Sequence, residues 1–274
     1  MSLRSLPPIP QGCRTLSDEE SKRLNSLYPS PWKHPMEGCL TCSDRRQLKA
    51  RVDGQIDDFE CDCRGQWKMH RWFLNAGLGL SYQRRTIDDV ESAQVLEAIA
   101  EATQNTAREM HRGIGTTLWS QGRGNGKTLA ATLILKQVMA TGVDGYFSQF
   151  NDLIEFSTRG WRDPSEQAWF ARRVRNVDLL VIDDIGRENK GRVSVVEAML
   201  DQVIRHRVAS SKPTIITTNL TPDEMQNGYG PNVLSLLSEV NREVGFTGLD
   251  HREKAQRTTV DEVRQGISRP ILVG

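Results

Sequence analysis

The sequence predicts an α/β protein in which helices flank a parallel β-sheet, preceded by a small N-terminal metal-binding module. Three observations lead to this prediction. Short apolar segments alternate with helix-like segments after residue 115, a glycine-rich loop follows the first of them, and four cysteines form two close pairs before residue 66. Buried strands that alternate with helices are typical of a parallel sheet covered on both faces.

The composition is that of an ordinary globular chain, with 37% hydrophobic and 26% charged residues. Its apolar runs stay well short of the roughly 18 residues that cross a bilayer, and its first ten residues lack the features of a secretory signal. We therefore expect a cytoplasmic protein with no membrane contact. The formal net charge of +1 excludes nucleic-acid binding by overall charge, so any such contact must be local.

The chain divides into three predicted regions: an N-terminal module over residues 1–75, a linker helix over 76–110 and an α/β domain over 111–274. Period-2 and period-3.6 patterns place the elements. The predicted strands of the α/β domain are Thr117–Ser120, Asp144–Gln149, Leu179–Asp183 and Thr214–Thr218. The predicted helices are Asp18–Leu27, Gln66–Ala76, Thr86–His111, Lys127–Thr141, Ser165–Val174 and Val193–Ala209.

The loop over residues 121–128 carries the residue types that bind phosphate groups. Glycines let the backbone curl so that its N–H groups face the phosphates, a lysine neutralises them, and a threonine hydroxyl binds Mg²⁺. These residues are Gly122, Gly124, Asn125, Gly126, Lys127 and Thr128. The alternative is a glycine-rich loop with an incidental lysine, but a strand before and a helix after favour an ATP site with Mg²⁺.

Polar residues end two further predicted strands, VDLLVIDDI over 177–185 and PTIITTNL over 213–220. Parallel sheets bind ligands at this carboxyl edge. Asp183 would hold Mg²⁺ directly or through water, Asp184 would act as general base on the attacking water, and Asn219 would help to position that water. The alternatives are a helix N-cap for the two acids and a turn role for the asparagine.

In their order, the motifs GRGNGKT, LLVIDDIG and KPTIITTNL resemble the DnaC/DnaI group of bacterial and phage helicase loaders and the related IstB-type transposition ATPases. The resemblance covers residues 66–252. It implies an AAA+ P-loop ATPase that self-associates, because the ATP sites of such proteins are completed by a neighbouring subunit. Many relatives carry glutamate where this chain has Asp184, which implies slow hydrolysis.

The same resemblance implies roles for two arginines. Arg252 matches the sensor-2 arginine, which contacts the γ-phosphate in its own subunit. Relatives commonly have Ser-Arg in the helix before the last strand, whereas this chain has Leu-Ser-Glu over residues 237–239. Arg242, one turn further on, is therefore preferred as the trans-acting arginine finger, and Arg207 at the end of another helix is the second candidate.

The paired cysteines predict a structural zinc site. Four thiolates suit tetrahedral Zn²⁺, with His34 and His70 as possible substitute ligands, and the alternative is a set of unrelated buried or surface thiols. The predicted ligands are Cys39, Cys42, Cys61 and Cys63. Because DnaI-type loaders engage the replicative helicase through a small zinc domain, the resemblance implies that residues 1–75 dock on a replicative helicase hexamer.

A basic and aromatic segment, STRGWRDPSEQAWFARRVR, spans residues 157–175. Trp161 and Arg162 lie in a predicted loop and are the candidates for binding single-stranded DNA by stacking and phosphate pairing. Trp169 and Phe170 are spaced as core residues of a helix instead.

Three functions fit these observations. The first is an ATP-dependent loader that delivers a hexameric replicative DNA helicase onto single-stranded DNA, and the cysteine module favours it. The second is an IstB-like transposition regulator that acts on target DNA. The third is a nucleotide-gated adaptor with little hydrolysis.

Overall fold

A computed structural model describes residues 14–15, 45, 47–52, 55–108, 110–161, 163–186, 193–247, 250–265 and 269–273. Predictions that fall on the helix Asp18–Leu27 and on His34, Cys39, Cys42 and Arg162 lie outside these residues. A search of the described part of the chain finds no helix with the length and apolar character that crossing a membrane requires.

Strands form in the N-terminal region, where the sequence predicted none. Among the described residues, β1 (Arg14–Thr15), β2 (Gln47–Val52) and β3 (Gln55–Glu60) pair as an antiparallel sheet in that order. The residues of β3 are largely exposed, so it lacks the apolar alternation on which a strand prediction depends. The predicted helix at residues 66–76 is confirmed as α1 (Asp62–Asn75), with an earlier start.

The four strands predicted for the α/β domain occur in the structure, together with further elements that were not predicted. Before the large sheet come α2 (Leu80–Gln83), a 3₁₀ turn (Ile87–Asp89), α3 (Ala93–Arg108) and a second 3₁₀ turn (Met110–Arg112). Then follow β4 (Gly115–Trp119), α4 (Lys127–Met139), β5 (Gly145–Gln149), α5 (Phe150–Arg159), α6 (Pro164–Phe170), a π-helical turn (Ala171–Arg175), β6 (Leu179–Ile185) and α7 (Val193–Ala209). The last are β7 (Thr214–Thr218), α8 (Pro222–Val240), β8 (Asn241–Gly245) and α9 (Arg252–Arg264).

The large sheet is parallel throughout. Within the described residues its five strands have the order β5-β6-β7-β4-β8. Successive residues of β6 enter different apolar clusters: Leu179 and Val181 join one, Leu180 and Ile182 the other. Because side chains alternate across a strand, the two clusters lie on opposite faces of the sheet. The predicted α/β class with a helix-flanked parallel sheet is confirmed.

The long predicted helix Thr86–His111 is shorter in the structure. Thr86 and Asp89 form a reciprocal capping box around the 3₁₀ turn, and α3 begins only at Ala93. The predicted helix Ser165–Val174 corresponds to α6 and the π-helical turn after it.

Helix α1 packs on the α/β core. Its Phe73 is fully buried in the same apolar cluster as Leu133 and Leu135 of α4, together with Ile99 of α3. The helix that follows the cysteine segment therefore shares an apolar cluster with the helix that begins at the phosphate loop. The domain boundaries at residues 75 and 110 remain predictions.

Candidate active site

A cleft of about 310 Å³ lies at the carboxyl edge of the large sheet. It is bounded by the glycine-rich loop, by the ends of β6 and β7, and by the start of α9. The structure brings together in its wall eight of the residues singled out from sequence: Gly124, Asn125, Gly126, Lys127, Thr128, Asp184, Asn219 and Arg252.

The glycines of the loop are required by its shape at two positions. Gly124 and Gly126 have φ of +73° and +94°, a region that side chains disfavour. A Cβ on Gly124 would lie 1.8 Å from Asp250 Oδ1, whereas a Cβ on Gly126 would meet nothing within 4 Å. The loop therefore packs against the start of α9 at Gly124 and faces open space at Gly126, where helix α4 presents its N-terminal N–H groups.

Lys127 is buried, and its ammonium group is held by the loop itself. Its Nζ donates to the Gly122 carbonyl at 3.0 Å and to Asn125 Oδ1 at 3.1 Å. Burial lowers the pKa of Lys127, opposed by the charges of Asp184 and Asp183. A desolvated cation at the N-terminus of a helix is suited to bind an anionic group.

Asp183 is buried at the end of β6 and accepts two hydrogen bonds on one carboxylate oxygen. Thr128 donates to Asp183 Oδ1 at 2.9 Å and Thr217 at 2.6 Å. Burial raises the pKa of Asp183, and these two hydrogen bonds oppose the effect. A divalent cation would stabilise the ionised carboxylate. Asp183 and the Thr128 hydroxyl are therefore chemically suited to the Mg²⁺-binding role predicted for them.

Asp184 and Asn219 face each other across the ends of β6 and β7. Asn219 Nδ2 donates to Asp184 Oδ1 at 3.1 Å. The other end of the same amide, Asn219 Oδ1, is buried and finds no hydrogen-bond partner among the described residues. Buried polar atoms without a partner are rare, so this one marks Asn219 as a candidate functional residue.

Arg252 begins α9 and lies opposite the loop. Asp250 Oδ1 accepts from the Arg252 backbone N–H at 2.9 Å, and the His251 N–H donates to the Gly124 carbonyl at 3.0 Å. These bonds attach the start of α9 to the glycine-rich loop, so that the Arg252 side chain lines the same cleft as Lys127.

One wall of the cleft, formed by Tyr82, Arg85, Asp89 and His251, was not predicted from the sequence. These residues lie in short or irregular segments, for which hydrophobic periodicity makes no prediction. One indirect signal existed: Lys136 stands within the apolar helix α4. It is fully buried, burial lowers its pKa to about 8, and its Nζ donates to the carbonyls of Gln83 at 3.2 Å and Arg85 at 2.6 Å.

The two arginine-finger candidates differ in the exposure of their side chains. Arg207 is fully buried and its guanidinium donates to the Val174, Val177 and Pro213 carbonyls. It cannot reach a neighbouring subunit, so its candidacy was wrong. Arg242 is half exposed, but it lies on edge strand β8 and not on the preceding helix, where its Nη1 is 2.8 Å from Glu101 Oε1.

Of the predicted zinc ligands, the structure describes Cys61 and Cys63, both buried at the start of α1. Cys39 and Cys42 lie outside the described residues. Within the described ranges, no group of three or more His, Cys, Asp or Glu side chains is arranged to hold a metal. His70, the described alternative ligand, is buried and its Nδ1 lies 2.8 Å from Gln83 Oε1. The zinc site remains a prediction.

The described aromatic side chains of the basic and aromatic segment fall into a packed group and an exposed one, as their spacing predicted. Phe170 is buried, and Trp169 packs edge-on against Phe156 and Tyr146, so both belong to the core side of the helices. Trp161 is 68% exposed between α5 and α6, the largest exposed fraction among the bulky apolar side chains described. Its neighbour Arg162 lies outside the described residues.

The part of the chain that contains most of this site is similar to known proteins. Residues 116–237 match the family of IstB-like ATP binding proteins, and they contain the glycine-rich loop, Asp183, Asp184 and Asn219. The replicative helicase loader DnaC of Escherichia coli K12 is 26% identical over 170 residues, which cover 61% of this chain and 68% of DnaC. The replicative helicase loader DnaI of Bacillus subtilis is 20% identical over 229 residues, covering 76% of this chain and 72% of DnaI.

Solved structures agree as well. The crystal structure of the DnaC helicase loader superposes with a TM-score of 0.50 at 27% identity, covering 57% of this chain and 92% of that one. The parallel sheet flanked by helices is thus the fold of AAA+ P-loop ATPases. Residues 116–237 are thus similar to IstB-like ATP binding proteins, and the chain is homologous, at modest identity, to the DnaC and DnaI helicase loaders.

Proposed function

We propose that this protein is a Mg²⁺-dependent ATPase that loads a hexameric replicative DNA helicase onto single-stranded DNA. The convergence of Lys127, Asp184, Asn219 and Arg252 on one cleft carries the proposal, together with Asp183, which is hydrogen-bonded to Thr128 in the wall of that cleft. These groups provide a cation for phosphates, carboxylates for a metal and for a water, and a second cation from α9, which together meet the needs of phosphoryl transfer.

In the proposed reaction each side chain has a separate task. Backbone N–H groups of the loop and Lys127 hold the phosphates, while Thr128 and Asp183 hold Mg²⁺, which when bound neutralises charge on the phosphate oxygens. Asp184 accepts the proton of the attacking water, and Asn219, with its unpartnered Oδ1, orients that water. Arg252 stabilises charge on the γ-phosphate from the same subunit, and Arg242 is the proposed contact with a neighbouring subunit.

Replacing Asp184 with asparagine is expected to leave ATP binding within about threefold of wild type while lowering turnover at least about 100-fold, because the amide cannot accept the proton of the attacking water. Steady-state phosphate release and equilibrium binding of ATP measure the two effects. Asp178→Asn is the matched control, since Asp178 precedes the other end of β6 and pairs with Lys212 on the surface. Equal turnover in Asp184→Asn and wild type would remove Asp184 from the mechanism.

Binding of the helicase is proposed for residues 1–75, folded around Zn²⁺ held by Cys39, Cys42, Cys61 and Cys63. The homology to two replicative helicase loaders supports the partner, and the burial of Cys61 and Cys63 is compatible with metal ligation. The test is co-purification of the full-length chain with the replicative helicase of the same cell, with and without ATP. A stable complex that is lost on deletion of residues 1–60, which spares α1 and its buried Phe73, supports the assignment, and a complex that survives the deletion refutes it.

Contact with single-stranded DNA is proposed at Trp161 and Arg162. Trp161→Ala with Arg162→Ala is expected to weaken binding of a fluorescent oligodeoxythymidine by about 10-fold or more, since one stacked base contributes about 1–3 kcal/mol. Trp72→Ala, which removes another exposed tryptophan on α1, is the control and should bind as wild type. Unchanged affinity of the double variant would exclude this site.

A transposition regulator that acts on target DNA is the second candidate, favoured by the match to IstB-like ATP binding proteins. Both candidates use the same ATP site, so the partner distinguishes them. Capture of a replicative helicase by the purified protein supports the loader, whereas capture of a transposase and of duplex DNA supports the regulator. A nucleotide-gated adaptor predicts binding of ATP without turnover, even with partner and DNA present.

A further inference from the structure

The ladder between β6 and β7 is interrupted at the acidic pair. Ile182 pairs with Ile216 and Ile185 with Thr218, so two residues of β6 lie opposite the single residue Thr217 of β7. Such a bulge leaves a residue without its place in the ladder and re-aims its side chain, and bulges recur next to active sites. Here the two residues within the bulge are Asp183 and Asp184.

Thr217 takes over the hydrogen bonds that the bulge disrupts. Its hydroxyl donates to Asp183 Oδ1 at 2.6 Å, and the same oxygen accepts from the Asp184 backbone N–H at 2.8 Å. A hydroxyl has one proton to donate and lone pairs to accept, so one side chain serves both residues at once. Thr217 is 1% exposed, which makes either bond costly to replace with water.

The backbone of Asp184 needs this support. Its φ is +62°, in the left-handed region that residues other than glycine seldom adopt. Non-glycine residues stay in such a conformation where surrounding contacts hold them, and these cluster at functional sites. The hydrogen bond from the Asp184 N–H to Thr217 fixes its main chain, and the one from Asn219 fixes its carboxylate.

We infer that Thr217 is a positioning residue that sets the direction of both carboxylates of the acidic pair. This inference rests on the proposed ATP site. Thr217 turns Asp183 toward the Thr128 hydroxyl, so that the pair holds Mg²⁺, and keeps Asp184 directed into the cleft. Valine has nearly the same shape as threonine but has no hydroxyl, so Thr217→Val removes both hydrogen bonds and leaves the packing of β7 in place.

The test compares Thr217→Val and Thr217→Ser with wild type in the full-length protein. The first readout is the affinity for a fluorescent ATP analogue, measured in excess Mg²⁺ and in EDTA. For Thr217→Val we expect the affinity in EDTA to stay within about threefold of wild type, while the gain on adding Mg²⁺ falls about 10-fold, since Asp183 is no longer oriented. The second readout is turnover, expected to fall about 100-fold.

Thr217→Ser keeps the hydroxyl and should restore both readouts to within about threefold of wild type. Thr132→Val is the matched control, because Thr132 is also fully buried and its hydroxyl donates to the Leu129 carbonyl of its own helix. Thermal unfolding of each variant reports whether the fold is retained. If Thr217→Val loses the Mg²⁺ response and Thr217→Ser restores it, Thr217 positions the acidic pair. The inference is overturned if Thr217→Val keeps the Mg²⁺ response and turnover of wild type, or if Thr217→Ser does not restore what Thr217→Val loses.

Failure of the proposed function has a different signature. A wild-type protein that binds no ATP removes the proposed ATP site and this inference with it. A wild-type protein that binds ATP without hydrolysing it contradicts the ATPase proposal alone, because the Mg²⁺ dependence of nucleotide affinity still reports the role of Thr217.

Discussion

Lys127→Ala is expected to weaken ATP binding at least about 100-fold and to abolish measurable turnover, because it removes the buried cation that faces the phosphates. In the structure that cation is held by the Gly122 carbonyl and Asn125 Oδ1 beside the N-terminus of α4. Isothermal titration with ATP and Mg²⁺ measures the affinity directly.

Lys254→Ala is the matched control for this prediction. Lys254 lies on α9, close to the cleft but outside its wall, and forms a surface ion pair with Glu91. Its replacement removes one positive charge from the same side of the molecule and should leave ATP affinity unchanged. Equal affinity of Lys127→Ala and wild type would contradict the assignment of the phosphate site.

Arg207→Met is expected to lower the free energy of unfolding by at least about 4 kcal/mol, an unusually large effect for one substitution. Arg207 lies in the last turn of α7, and its side chain is fully buried against the loops around β6 and β7. Its guanidinium donates to several backbone carbonyls, among them Val177 at 2.8 Å and Pro213 at 2.6 Å, and to Thr214 Oγ1 through Nε at 2.9 Å. Methionine fills the space and leaves these acceptors without donors.

Urea denaturation of the full-length protein measures that loss. Arg205→Met provides the comparison, because Arg205 lies two residues earlier on the same helix, is exposed and pairs with Asp201. Its stability should match wild type. An Arg207→Met variant as stable as wild type would show that other donors or water reach the carbonyls that Arg207 now occupies.

The central elements of the fold could be predicted because burial leaves a strong pattern in them. Strand β7 and helix α7 occur at the predicted residues, and β6 differs only by two residues at its end. All residues of β7 are buried, so their apolar and β-branched character is nearly continuous. Edge strand β8 was not assigned, because NREVG is polar and only its first residue is buried.

A residue of the site could be predicted when its type is unusual for its position in the sequence. The other residues of the site could not. Two acids at the end of an apolar strand, or a lysine within a glycine-rich loop, stand out in the sequence. Thr217 does not, since threonine is common in strands and its hydroxyl has a role only because the bulge brings it to the acidic pair. Arg207 was misjudged for a related reason: its burial depends on which carbonyls surround it, and these come from separate segments of the chain.

The most direct test of the loader proposal is transfer of the replicative helicase onto circular single-stranded DNA coated with single-strand-binding protein. Unwinding of an annealed oligonucleotide reports helicase that has been loaded. The proposal predicts rapid unwinding with the wild-type protein and ATP, and none with Lys127→Ala, whose phosphate site lacks its cation. Unwinding that is the same with wild type, with Lys127→Ala and without the protein would contradict it.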